Sequence, residues 1–208
     1  MSGEPWRNRF PGFDAVAQRE HWDAVTTGVV LSRIGMPPDI RYFTPDEQAI
    51  ATALCDALLY QDDDRPVPVV HMIDARLAEK QTDGWRYDDM PEDGQAWRDT
   101  LAALDADARE RYDIRFVDCA GDQRHALIQA VQDLGADQWH GLNAKHVWSL
   151  WTRYACTAFY SHPTAWNEIG FPGPAYPRGY KNPGVDAREP FEVRDREPSD
   201  DPVHEAST

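Results

Sequence analysis

The residues that could carry out chemistry lie in one stretch near the end of the chain, Phe159 to Pro183, which reads FYSHPTAWNEIGFPGPAYPRGYKNP. It contains a histidine, an amide and a carboxylate, namely His162, Asn167 and Glu168. Histidine and glutamate are common general acids and bases, provided that they meet in a concave pocket and at least one has a shifted pKa. One hypothesis is therefore a stand-alone enzyme that uses these three residues.

Other patterns of catalysis and cofactor binding are missing from the sequence. There is no HExxH pair for zinc, no G-x-S-x-G elbow for a nucleophile, and no GxGxxG turn or P-loop for a nucleotide cofactor. Cys55, Cys119 and Cys156 are widely separated, which favours reduced, packed thiols. Cys156 and His162 permit a Cys–His pair without indicating one. We therefore predict no catalytic residue, no metal ligand and no cofactor site in this chain outside the hypothesis on His162.

The composition limits the classes of partner. The chain has 208 residues and a formal charge of −15, with a pI near 4.7. So acidic a protein repels a phosphate backbone, and no local Lys/Arg cluster compensates, so we expect no nucleic-acid partner. No apolar run is long enough for a membrane span. The first residues show no apolar export signal, so we expect a cytoplasmic location.

Five helices are predicted from caps and apolar periodicity, and strand-like alternation is scarce, so the fold class is all-α. Thr44-Pro45-Asp46-Glu47 is a capping box that begins the first helix. In the second helix, we expect His71, Asp74 and Arg76 to point outward. A separate stretch, Ile114 to Val117, could be briefly extended. The apolar stripes of the second and third helices are Val69, Ile73 and Leu77, and Trp97, Leu101, Leu104 and Ala108. The fourth helix has a cap at Asp122, a stop at Gly135 and the stripe Leu127, Ile128, Val131 and Leu134. The fifth helix, about Asn143 to Tyr160, has the stripe Ala144, Val147, Trp148, Trp151, Tyr154, Ala155 and Ala158.

These elements predict a single helical domain, residues 44–161, with irregular segments on both sides. Residues 1–43 form an extended arm in which the rings of Trp6, Phe10, Phe13 and Trp22 pack against something, with a short helix possible over Asp14 to Thr26. Residues 162–184, rich in Pro, Gly and aromatic side chains, are named the docking segment here. Residues 185–208 are acidic and proline-rich, and we expect them to be disordered or to lie along a surface.

Four pieces of the sequence, in this order, resemble the gluconate 2-dehydrogenase subunit 3 family, the small subunits of bacterial flavin-dependent sugar dehydrogenases. They are YFTPDEQAIATALCDALL at Tyr42 to Leu59, HMIDARL at His71 to Leu77, LDADARERYDIRFVDC at Leu104 to Cys119, and AFYSHPTAWNEIGFPGPAYPRGY at Ala158 to Tyr180. The resemblance in the order of these pieces covers about two thirds of the chain.

The resemblance implies a non-catalytic helical partner of a large flavoprotein of the glucose-methanol-choline type. The large subunit would hold FAD and oxidise a sugar or polyol, and the small subunit would assist its folding in a 1:1 complex. Many relatives are periplasmic and carry a twin-arginine export signal, which this sequence lacks. A self-associating structural protein is a third hypothesis.

The docking segment is then the predicted partner interface. Its large apolar side chains could instead fold back and close the chain's own helical core, and we expect some rings to do each. The residues predicted to contact the partner are Tyr160, Pro163, Trp166, Ile169, Phe171, Pro172, Tyr176 and Tyr180.

Overall fold

The computed structural model describes residues 10, 12–61, 66–181, 184–185 and 187–194, and the chain divides into two compact units. The central unit is residues 37–159, and the terminal unit combines residues 1–36 with residues 160–208. The predicted arm up to residue 36 and the docking segment therefore belong to one unit, whereas residues 37–43 of the arm belong to the central unit. Trp6 and residues 195–208 of the predicted acidic tail lie outside the described residues.

Helices dominate the described residues, which confirms the predicted all-α class. The five predicted helices are present, and two further α-helices and two 3-10 helices join them. In chain order the elements are a 3-10 helix Ala15–His21, α1 Ala24–Ile34, α2 Pro45–Leu59, α3 Val69–Ala78, α4 Asp93–Tyr112, a 3-10 helix Phe116–Asp118, α5 Gly121–Asp133, β1 Gln138–Trp139, β2 Leu142–Asn143, α6 Ala144–Tyr160 and α7 Pro163–Ile169.

The core of the central unit is built on α2, α4 and α6. Their inward stripes include the fully buried rings of Trp97 and Trp151. The indole N–H of Trp151 donates a hydrogen bond to Thr100 Oγ1 at 3.0 Å, which satisfies a polar group inside the core. Other fully buried side chains of this core include Leu54, Ile73, Leu101, Leu104, Phe116 and Val147.

The predicted capping box at the start of α2 is confirmed. The Glu47 backbone N–H donates to Thr44 Oγ1 at 3.3 Å, and the Thr44 N–H donates to Glu47 Oε2 at 2.8 Å. Pro45 occupies the first turn, where its missing N–H costs nothing.

The outward placement predicted for Asp74 is wrong. Its carboxylate is fully buried and accepts the backbone N–H groups of Arg41, Tyr42 and Phe43 at 2.6, 2.9 and 2.8 Å. The periodicity of α3 gives no information on the segment before α2, which folds back onto this helix. Asp74 therefore fixes the entry to α2 against α3.

Two smaller expectations differ from the structure. Asp122 lies in the first turn of α5, and the capping position is Ala120, whose N–H donates to Gln123 Oε1 at 2.8 Å. The stretch Ile114 to Val117 leads into the 3-10 helix Phe116–Asp118 rather than a strand.

A minimal antiparallel hairpin precedes α6 and pairs Trp139 with Leu142. His140 and Gly141 between the strands both have positive φ, 46° and 81°, which is the conformation of a two-residue hairpin turn.

The terminal unit has a small core of its own. Ala15, Trp22, Val30 and Trp166 are buried together, and Phe13 packs against them. The N–H of Ala15 also donates to Asn167 Oδ1 at 2.7 Å, so the first 3-10 helix is attached to α7. Of the rings predicted to pack from the arm, Phe13 and Trp22 thus meet Trp166 of the docking segment. The α1 helix replaces much of the expected extended chain.

Candidate protein-docking surface

His162 and Asn167 make structural hydrogen bonds in the terminal unit. His162 is buried and caps α7, since its Nδ1 accepts the Thr164 N–H at 3.2 Å. Burial lowers the pKa of His162, which keeps the ring neutral. The Asn167 side-chain oxygen accepts the Ala15 N–H, as described above. Both residues are therefore committed to holding the unit together, and the geometry gives the hypothesis of an enzyme based on His162, Asn167 and Glu168 no support.

A cleft of about 860 Å³ in the central unit is lined by charged side chains, and two of them, Arg76 and Asp93, form ion pairs with residues beside it. Arg76, on its wall, and Arg153 both donate to Asp83, and both guanidinium groups lie over the Tyr154 ring. The Tyr154 hydroxyl donates to Asp93 at 2.7 Å, and burial together with this bond raises the pKa of Tyr154. These contacts fix the loop after α3 against α6.

The cysteines are free thiols, and each has a pKa raised by burial. A raised pKa lowers the thiolate fraction, which is opposite to what a nucleophilic cysteine needs. Cys156 is the one on the surface, whereas Cys55 and Cys119 are buried. Within the ranges that the structure describes, no three His, Cys, Asp or Glu residues are grouped so that they could hold a metal ion.

The predicted partner residues divide between the interior and the surface. Pro163, Trp166 and Pro172 are buried, so in this structure they support the surface instead of forming it. The Trp166 ring is only 4% exposed, and its indole N–H donates to the Tyr160 carbonyl at 2.7 Å. The remaining five side chains are exposed: Tyr160, Ile169, Phe171, Tyr176 and Tyr180.

Gly173 lies where the docking segment passes from the buried rings back to the surface. Its φ is +79°, and a Cβ built there would lie 2.7 Å from Cζ2 of Trp22 and 3.2 Å from Cζ3 of Trp166. Only glycine fits both the backbone conformation and the close approach of the two indoles. The chain therefore passes over the buried rings and returns to the surface at Tyr176 and Tyr180.

Sequence reasoning missed a second group of exposed apolar residues, on and just after α1. Val25 is 74% exposed and Val29 is 51% exposed, and Met36 is almost fully exposed. A cap at Asp23 and the apolar run AVTTGVVLSRI could have indicated this helix, since Asp23 accepts the Thr26 N–H at 2.7 Å. The exposed large apolar side chains of this group are Val25, Val29, Leu31, Ile34 and Met36.

Exposed large apolar side chains are concentrated in the terminal unit. In the described part of the central unit only Tyr60, Trp85 and Leu134 are comparably exposed. An accumulation of apolar surface on one part of a protein is typical of an interaction site. In the described ranges, no helix has the length and apolar character needed to cross a bilayer.

Comparison with known proteins adds one result to this geometry. A family model described as gluconate 2-dehydrogenase subunit 3 matches residues 45–173, from the first turn of α2 to Gly173 in the docking segment. No curated protein and no solved structure matches the chain. The match covers more than half of the chain, and the chain belongs to the gluconate 2-dehydrogenase subunit 3 family.

Proposed function

We propose that this chain is the non-catalytic small subunit of an FAD-dependent sugar or polyol dehydrogenase of the glucose-methanol-choline type. Its role is to bind the large subunit with 1:1 stoichiometry and to assist the folding of that subunit. The FAD and the sugar-oxidising chemistry belong to the large subunit.

The observation that carries the proposal is the match to a subunit family together with the apolar surface of the terminal unit. A subunit family implies a complex with a larger dehydrogenase subunit. Exposed side chains such as Tyr176 and Val25 give a partner apolar contact area. Aromatic residues are enriched in protein interfaces, because a ring supplies much contact area at a low cost in conformational entropy.

The alternative roles receive less support from the same residues. His162 and Asn167 are occupied by structural hydrogen bonds. A self-associating structural protein would bring together copies that each carry a charge of −15, and such copies repel one another.

Folding assistance is tested by expressing a glucose-methanol-choline-type flavoprotein of the source organism with and without this chain. We expect soluble, flavin-loaded large subunit in much greater yield when both are expressed. A chain carrying Ile169→Gln and Tyr176→Gln should assist less, because two exposed apolar contacts are lost. Equal yields of flavin-loaded large subunit in the presence and absence of the chain would contradict the proposal.

A further inference from the structure

The cleft of the central unit is large enough to hold a small molecule. Its volume of about 860 Å³ lies within the usual range of ligand sites. The end of α3, the segment after it and the first turn of α4 form its walls, and Tyr42 and Tyr154 also line it. Leu77, Asp93 and Tyr154 are buried, whereas most of the other lining residues are exposed. The exposed ones are therefore available to a ligand.

Trp85 lines the cleft with an indole that is both exposed and held in position. The residue is 49% exposed, and the Arg153 guanidinium lies over its ring at 5.0 Å from the centroid. The ring of Tyr87 meets the indole edge-on at 5.3 Å and itself stacks on His146 of α6 at 3.6 Å. Because its neighbours already fix the ring, a ligand gains a flat apolar contact at little cost in side-chain entropy.

Tyr42 is a second ring of the cleft wall, and its position depends on Gly94. A Cβ at residue 94 would lie 2.5 Å from the Tyr42 hydroxyl oxygen and 2.9 Å from its Cζ, so a side chain there would displace the ring. The Arg98 guanidinium lies over the Tyr42 ring at 4.4 Å and donates to the Tyr42 carbonyl at 2.9 Å. Both aromatic walls are therefore held in place in the free chain.

The lining of the cleft contains cationic and anionic side chains in equal number. The cationic ones are Arg76, Lys80 and Arg86, and the anionic ones are Asp88, Glu92 and Asp93. Arg76 and Asp93 are engaged in the ion pairs described above. The other four, Lys80, Arg86, Asp88 and Glu92, are exposed and are here called the rim charges. Within the part of the chain that the structure describes, their side chains make no hydrogen bond or ion pair.

A sugar ring matches this set of groups. A hydroxyl group both donates and accepts hydrogen bonds, so it binds a carboxylate as a donor and an ammonium or guanidinium group as an acceptor. The C–H groups on the face of a pyranose ring pack against the electron-rich face of an indole. A neutral ligand with several hydroxyl groups uses all four rim charges, whereas a ligand with a single charge is attracted by one pair of them and repelled by the other.

We propose that this cleft binds a neutral carbohydrate of the pyranose type, with the sugar ring against Trp85 and its hydroxyl groups hydrogen-bonded to the rim charges. The inference goes beyond the proposed function, because it gives this chain a ligand site of its own. The site is formed by residues of the central unit alone and needs no other chain.

The test uses the free full-length chain and saturation-transfer NMR, with D-glucose, D-galactose and D-mannose as probes. Glycerol is the control compound, because it has hydroxyl groups and no ring. Trp85→Ala removes the indole from the cleft. Its matched control is Tyr60→Ala, which removes an exposed ring of the same unit that does not line the cleft.

A second variant tests the rim charges and leaves the indole in place. Asp88→Asn with Glu92→Gln keeps the size of both side chains and removes their charge, which weakens hydrogen bonds from hydroxyl groups. Its matched control is Glu110→Gln with Asp122→Asn, since these two carboxylates are exposed and lie outside the cleft lining. Both double variants change the net charge by the same amount.

We expect the wild type to bind at least one of the three sugars with a dissociation constant of about 1 mM or lower, and to bind glycerol much more weakly. Trp85→Ala should weaken sugar binding by at least about fivefold and the Asp88/Glu92 variant by at least about threefold, whereas both controls bind like the wild type. Amide shifts in ¹H–¹⁵N spectra of the wild type should place the bound sugar at residues 80–95. Thermal unfolding checks that each variant folds.

Three results would overturn the inference. The first is the absence of saturation transfer to any of the three sugars. The second is equal binding of glycerol, because the ring then contributes nothing. The third is wild-type affinity in both cleft variants, or a loss of affinity that their matched controls share. Since no flavoprotein is present in this experiment, each result is independent of whether the chain binds a large subunit.

Discussion

Three residues of the docking segment serve its folding through specific chemistry. His162 caps α7, Asn167 attaches the first 3-10 helix, and Gly173 lets two indoles approach the backbone. The residue types that first indicate an enzyme thus stabilise a surface. The sequence alone could not distinguish these roles for Asn167, because its partner Ala15 lies at the other end of the chain.

The buried His162 should make stability depend on pH. Burial holds its folded-state pKa below the ordinary value of 6.5, so the unfolded chain takes up a proton first as the pH falls. The stabilisation is complete above about pH 6.5 and is lost as the pH falls towards the folded-state pKa. Arg33 acts in both directions, because a hydrogen bond with its backbone raises the pKa of His162 and its positive charge lowers it, so burial is the cause that decides the direction.

We therefore expect the free energy of unfolding in urea to decrease more between about pH 7.5 and about pH 5.5 for the wild type than for His162→Asn. Asparagine is a good N-cap and does not titrate, so it keeps the cap and removes the proton. Equal decreases for the two proteins would show that His162 does not take up a proton differently in the two states.

Replacing Gly173 by alanine should destabilise the terminal unit by more than about 2 kcal/mol. A residue with a Cβ is strained at this positive φ, and the added Cβ would also lie 2.7 Å from Cζ2 of Trp22. Gly179→Ala is the matched control, because its φ is +68° and its surroundings are open, so it should cost only about 1 kcal/mol. Urea unfolding followed by circular dichroism measures both. Equal losses would mean that the indole contact contributes nothing.

At the scale of elements, local signals determine the helices of the central unit and leave the others undetermined. Thr44 and Glu47 identify the start of α2, and the apolar periodicity identifies α3 to α6. The α1 helix has one charged residue, Arg33, so charge does not mark its outer side, and tertiary contacts decide that Val30 is buried. The start of α7 was missed because histidine is an unusual N-cap, although Pro163 follows it at the first helical position.

The contact between α3 and the segment before α2 depends on one carboxylate. Asp74→Asn should lower the stability of the central unit by about 3 kcal/mol, because an amide has one acceptor oxygen and presents N–H groups to other donors. The wild-type carboxylate accepts three backbone N–H groups, from Arg41, Tyr42 and Phe43.

Asp99→Asn is the control for this change, since Asp99 is exposed on α4, and it should alter the free energy of unfolding by less than about 0.5 kcal/mol. Similar unfolding midpoints for the two variants would contradict the structural role of Asp74.

At the scale of the whole molecule, the two units differ in how many of their large apolar side chains are exposed. The central unit buries its large side chains around Trp97 and Trp151, whereas the terminal unit has a small core and many exposed ones. Five of the eight side chains predicted for the interface are exposed, and the prediction missed the exposed apolar residues of α1. Whether a side chain is exposed depends on contacts between segments that are far apart in the sequence. The pattern of residue types along the chain does not give those contacts.

The most direct test of the central claim is the mass of the species formed when this chain is co-expressed with the glucose-methanol-choline-type flavoproteins of its source organism, measured by size-exclusion chromatography with light scattering and flavin absorbance. We predict one peak whose mass is the sum of one copy of each chain and which carries the flavin. Elution of this chain alone at 23.7 kDa, separate from the flavin-containing peak, would contradict its assignment as a subunit.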